Sequence, residues 1–106
     1  MTDNKTTLSE LKSTIRDFNA QRNWTHNALS TAVSISLEAS ELLEIFQWCS
    51  REEADKAARE TDREHVMEEL ADVFIYCTDM AIAYDVDIAA AIEDKLRKNA
   101  KKYPEK

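Results

Sequence analysis

Four carboxylates are the residues best placed to do chemistry: Glu38 with Glu41, and Glu69 with Asp72. Each pair is spaced i, i+3, which puts both side chains on one face of a helix about one turn apart. Their surroundings matter more than their spacing. On a wheel of ~100° per residue, Ile45, Leu42, Ile35 and Phe46 all fall within ~80° of Glu38, and Glu41 lies ~60° to one side. Tyr76, Met80, Val73 and Val66 surround Glu69 in the same way, with Asp72 ~60° round on the Tyr76 side. A Glu-x-x-Glu on a helix is usually a solvated face. Here the acids sit in the middle of the apolar stripes, and no inward Lys or Arg on the first helix can pair with them.

Buried carboxylates cost several kcal/mol each when left without partners, and four together repel one another. They can take up protons, with raised pKa values. A divalent cation is the simpler solution. An all-oxygen donor set selects a hard ion, so Mg²⁺ or Mn²⁺ is expected over Zn²⁺. A di-iron bundle would need Glu-x-x-His on two helices. The residues three before His65 and His26 are Asp62 and Asn23, so that motif is absent.

These acids need helices to hold them. The 106 residues contain no glycine and one proline, Pro104. Strand hairpins and glycine-rich phosphate loops both draw on glycine, so an all-α fold of one domain spanning 1–106 is expected. Thr7 with Glu10 forms a capping box for a helix over 8–21, with Leu8, Leu11, Ile15 and Phe18 on one stripe. A polar connection with Trp24 and His26 leads to a second helix, expected over 28–49. Ser50 with Glu53 opens a short exposed helix to about residue 59. Thr61 with Glu64 opens a third long helix, to about residue 84. Asp87 caps a last one over 88–102, before Tyr103-Pro104 stops it. The third long helix is apolar nearly all round from Leu70 to Ala83, so it calls for partner helices from a second subunit. Cys49 and Cys77 read as small buried hydrophobes.

The net charge of -7 argues against binding to nucleic acid or to an anionic membrane surface. No apolar run nears the ~20 residues of a membrane span, and MTDNKTTLSE lacks a signal core, so a cytoplasmic location is expected.

The run SLEASELLEIFQW (36–48) followed by EELADVFIY (68–76) resembles the MazG-like all-α nucleoside triphosphate pyrophosphohydrolases. The family pattern is ExxE, a spacer, then ExxD, matched by Glu38, Glu41, Glu69 and Asp72. RNW at 22–24, FQW at 46–48 and KYP at 102–104 are similar to landmarks of its small single-domain branch, which acts on deoxynucleoside triphosphates such as dCTP. The resemblance implies a helical bundle completed as a homodimer or homotetramer, Mg²⁺ on the four acids, and hydrolysis of a nucleoside triphosphate to the monophosphate and pyrophosphate. It implies nucleotide-holding aromatics at Trp24, Trp48 and Tyr76, and it aligns His26 with a histidine of that branch whose neighbouring Phe is missing here.

Two further roles are read from the residues. Glu41 is the candidate to activate water. Lys95, Asn99 and Lys102, at i, i+4 and i+7, share a face that can meet the β- and γ-phosphates, although cations there also stabilise a helix C-terminus. The competing reading is a non-catalytic helical module that binds nucleotide or metal without turnover.

Overall fold

A computed structural model describes all residues, Met1–Lys106. It holds five α-helices and no strand: α1 Leu8–Gln21, α2 Ala28–Glu44, α3 Arg51–Lys56, α4 Arg63–Ala83 and α5 Ile88–Lys102. The all-α expectation is met. The bounds of the first and last helices agree with those read from the sequence.

The caps explain the starts. Thr7 and Glu10 exchange backbone hydrogen bonds of 3.1 and 3.2 Å, and Ser50 and Glu53 do so at 3.2 and 2.9 Å. Asp87 accepts from the Ala90 amide at 2.9 Å. Asn27 with Ser30 adds a box at the start of α2, with bonds of 2.8 and 3.1 Å.

The ends reveal what the chain does without glycine. Asn23 and Asp85 take left-handed φ angles of 55° and 52° just past α1 and α4. Asn and Asp are the residues that tolerate that region best after glycine. At Asn23 the Trp24 amide donates to the Asn19 carbonyl at 3.0 Å and the Asn23 amide to Ala20 at 3.1 Å. This Schellman closure folds Trp24 back beside α1.

Two expectations need correction. Helix α2 stops at Glu44, short of Cys49, and residues 45–48 form turns. Ser50 must be extended to cap α3 (φ -69°, ψ 171°), so the helix has to break before it. Thr61 does not cap α4. Residues Ala57–Thr61 form a π-helical turn closed by the Asp62 amide on the Ala57 carbonyl at 2.8 Å, and the Thr61 hydroxyl sits 3.5 Å from Asp62 Oδ2. A turn of this kind inserts one residue and re-aims the helix after it.

Helix α4 is the spine. α2 runs antiparallel along it, with residues near 26 beside Tyr76 and residues near 45 beside His65. α1 also runs antiparallel to it: Lys12 Nζ donates to the Val86 carbonyl at 2.6 Å, while Asn19 reaches Asp79. Only Thr31, Ala57, Thr78, Asp79 and Ala81 are buried. The radius of gyration is 16.3 Å, against about 13 Å for a compact chain of ~100 residues. Large apolar side chains on the outer faces of α2, α4 and α5 stand exposed, among them Leu37, Phe74 and Leu96. Cys49 and Cys77, expected to be buried, are both exposed. Packing within one chain covers one side of α4 only.

Candidate metal centre and adjoining cavity

The α2–α4 contact puts the acids face to face. Oxygen atoms of Glu38, Glu41 and Glu69 lie within 4.8 Å of one another. Glu38 and Glu69 are half-buried and Glu41 is exposed. Oε2 of Glu38 and Oε2 of Glu69 are buried without a hydrogen-bond partner. Polar atoms in native structures rarely stay so. Asp72 stands outside this trio but close enough for its charge to act on both Glu38 and Glu69.

The electrostatics agree with the crowding. Burial pushes the Glu38 carboxyl up to about 7, aided by hydrogen bonding with Glu41 and by the charges of Glu41, Asp72 and Glu69. Glu69 is raised for the same first reason, then by Glu41 and Asp72, while His65 opposes the shift. His65 Nε2 lies 3.3 Å from Glu69 Oε1. With Asp62 and Glu44 it borders a 470 Å³ hollow opening onto Glu41 and Glu69. The i, i+4 spacing of His65 and Glu69 was the available sequence signal for this contact.

Two buried oxygens without donors, in an all-oxygen set, fit a hard divalent cation. Glu38, Glu41 and Glu69 would hold it, with Asp72 beside them.

A 420 Å³ cavity adjoins the acids on the Asp72 side. Phe18, Trp24, Ile75 and Tyr76 supply its apolar and aromatic wall, and Asn19, His26 and Asp79 its polar one. Trp24 packs edge-on to Phe18 at 5.8 Å, and His26 edge-on to Tyr76 at 6.2 Å. Arg22 lies 3.6 Å over the Phe18 ring. Burial raises the Tyr76 hydroxyl pKa, and the charges of Glu38, Asp72, Asp79 and Glu41 add to the shift. A volume of this size and lining suits a small organic ligand.

Trp24, His26 and Tyr76 therefore meet at one cavity. The other expected nucleotide contacts do not join them. Trp48 stands 89% exposed in the turn after α2. Lys95 and Lys102 are exposed and Asn99 half-buried on α5, and none of the three borders the acids or the cavity. Early termination of α2 carries Trp48 off the acid face. Asn19 and Asp79 are site residues that the sequence reading passed over. An acid between Tyr76 and Met80 on the apolar part of α4 was the signal for Asp79.

The MazG-like family model matches residues 33–106, which includes both acid pairs. The chain belongs to the MazG-like family. This MazG-like chain is similar to dCTP pyrophosphatase 1 of Rattus norvegicus, at 33% identity over 101 residues, covering 92% of this chain and 59% of that protein. The Homo sapiens protein of the same name is 31% identical over 101 residues, with 92% and 59% covered. The MazG-like chain thus spans about three-fifths of the length of these relatives. Among solved structures, a pyrophosphatase from Archaeoglobus fulgidus superposes with a TM-score of 0.88 at 39% identity, covering 92% of this chain and 93% of that one. No helix of the MazG-like chain is long and apolar enough to cross a membrane.

Proposed function

We propose that this chain hydrolyses (deoxy)nucleoside triphosphates, with dCTP and related dNTPs as the first candidates, to the nucleoside monophosphate and pyrophosphate. The observation that carries the reading is the gathering of Glu38, Glu41 and Glu69 around two unpartnered oxygens, at the edge of an aromatic-lined cavity. The names of the rat and human relatives and of the Archaeoglobus protein support the reaction class.

The residues divide the work. Trp24 and Tyr76 offer ring faces and edges to a base, and His26 a polar contact beside them. The triphosphate then lies towards the acids. Mg²⁺, or Mn²⁺ in its place, supplies charge neutralisation and polarisation of the α-phosphoryl group when bound. Glu41, the exposed member of the trio, takes a proton from water as its oxygen attacks the α-phosphorus. The bond from that phosphorus to the bridging oxygen breaks, and pyrophosphate leaves with the electron pair.

Self-association completes the assembly. The accessible surface is 8679 Å² for 12.2 kDa, where a compact monomer of that mass exposes about 6,100 Å². An excess of about 2,600 Å² per chain is in the class of obligate interfaces. A homodimer or homotetramer would bury it, and would give Lys95, Asn99, Lys102 and Trp48 a neighbouring copy's phosphates or base to meet.

The test is a dNTP panel with Mg²⁺, Mn²⁺ or chelator, scored separately for pyrophosphate and orthophosphate. Pyrophosphate release that needs the metal is expected. Binding of triphosphates without any product would replace the enzyme by a nucleotide-binding module.

A further inference from the structure

Asp79 is a carboxylate that the proposed hydrolysis does not use. It lies two helical turns beyond Asp72 on α4 and is 6% exposed. Burial raises its pKa, and the Asn19 hydrogen bond and the charge of His26 oppose that shift. Asn19 Nδ2 donates to Oδ1 at 2.9 Å, from across the α1–α4 contact. His26 Nε2 stands 3.7 Å from Oδ2, too far for a direct hydrogen bond. One oxygen of a buried carboxylate is thus satisfied and the other is spare.

The spare oxygen has somewhere to act. Asp79, Asn19, Trp24 and His26 border the 420 Å³ cavity, and the same four border a second hollow of 230 Å³ between α1 and the end of α4. Asp79 stands in the wall between them. A clip joining α1 to α4 is the simplest alternative role. A clip needs no charge: an apolar pair of similar volume would join the helices without the desolvation cost of an ionised group.

We propose that Asp79, held by Asn19, selects nucleobases that carry an exocyclic amino group. This rests on the reading that the cavity takes the base of a nucleotide. Asn19 gives one amide N–H to Asp79 Oδ1 and keeps a carbonyl oxygen and a second N–H. The ionised Asp79 carboxylate can only accept, so at its spare Oδ2 the wall presents an acceptor, and an amino group brings the matching N–H donor. Uracil and thymine offer a single ring N–H between two carbonyl oxygens, which a carboxylate repels. An unmatched buried polar group is the strongest basis for discrimination between otherwise similar ligands.

Cytosine and uracil differ at this group, so dCMP and dUMP are the probes. Monophosphates allow binding to be read without turnover. By calorimetry, the wild-type protein should bind dCMP about tenfold or more tightly than dUMP, the span that one charge-assisted hydrogen bond supports. Asp79→Asn keeps an acceptor for Asn19 and turns a donor towards the base. It should weaken dCMP, strengthen dUMP and bring the two within about twofold of each other. Asp79→Ala should weaken dCMP without any gain for dUMP. Equal wild-type affinities, binding of neither probe, or equal losses for both probes in Asp79→Asn would overturn the proposal. Pyrophosphate release from dNTPs, measured in parallel, separates the two readings. Hydrolysis without base preference sinks this one alone, and base preference without hydrolysis sinks the enzyme alone.

Discussion

Glu38 on α2 and Glu69 on α4 each hold an Oε2 atom in a buried space where no donor meets it. Each carboxyl is raised by burial first and by its acidic neighbours next. In the absence of a cation the pair therefore opposes folding at neutral pH. Removing one charge should relieve the repulsion. Glu38→Gln is expected to raise the metal-free melting temperature by about 4 °C, the shift that ~1 kcal/mol, already discounted for solvent screening, gives in a domain of this size. The same change should cut pyrophosphate release at least 100-fold, as expected for a lost ligand or proton acceptor. A fall in melting temperature would show that Glu38 is stabilised by a contact of another kind.

The sign of the pH dependence is set by the same group. The folded-state value for Glu38 is about 7, above its ordinary 4.5. A folded state that binds the proton more tightly gains stability as pH falls. That contribution is fully present below about 4.5 and is lost as pH rises through about 7. Metal requires the deprotonated carboxylate, so Mg²⁺ affinity should run the other way and weaken as pH drops below about 7. Melting curves with chelator and with saturating Mg²⁺, taken across this range, should converge at low pH and separate at high pH. Parallel curves would remove Glu38 from the metal site.

Glu41 is the exposed carboxylate of the trio and the one assigned to water. Glu41→Gln should lower kcat by about 10²–10⁴-fold, the usual weight of general-base catalysis. Glu41 also stands among the carboxylates that would hold the cation, so nucleotide affinity is read by calorimetry at saturating Mg²⁺, where it should change far less. A variant that retains most of its kcat moves the proton acceptor to another group.

Trp24 forms one wall of the cavity and is held there by the Schellman closure at Asn23. Trp24→Ala should remove a stacking surface worth about 1–3 kcal/mol and raise KM by about tenfold or more. Trp48→Ala has no such effect within one chain, since Trp48 is 89% exposed. If Trp48→Ala weakens nucleotide binding as much as Trp24→Ala, a neighbouring copy must bring Trp48 to the base.

The outer face of α4 carries Met67, Leu70 and Phe74, which are 57%, 44% and 61% exposed. A charge at its centre should oppose self-association. Phe74→Glu is expected to shift sedimentation towards the monomer and to lower the melting temperature in a concentration-dependent way. A wild-type chain that sediments as a monomer would leave the exposed apolar faces for a different partner.

What the sequence by itself determined was local. Capping pairs such as Thr7 with Glu10 and Ser50 with Glu53 act over three residues, and the chain records them directly. The absence of glycine argued against hairpins, and the positions of Glu38 and Glu69 among Ile45, Leu42, Val73 and Tyr76 set which helix faces must meet. Periodicity was enough for both. The early end of α2 at Glu44 and the π-turn at Ala57–Thr61 were not legible, because both settle a competition between adjacent helices for the same residues. Only tertiary structure decided that Asp72 stands beside the trio, that Trp48 stands exposed within one chain, and that Asn19 crosses from α1 to Asp79. A contact between residues 60 positions apart depends on how two helices cross, and no spacing along the chain encodes that. The four carboxylates could be read as one face each. Their meeting, and the cavity beside them, belongs to the packing of α1 and α2 on α4.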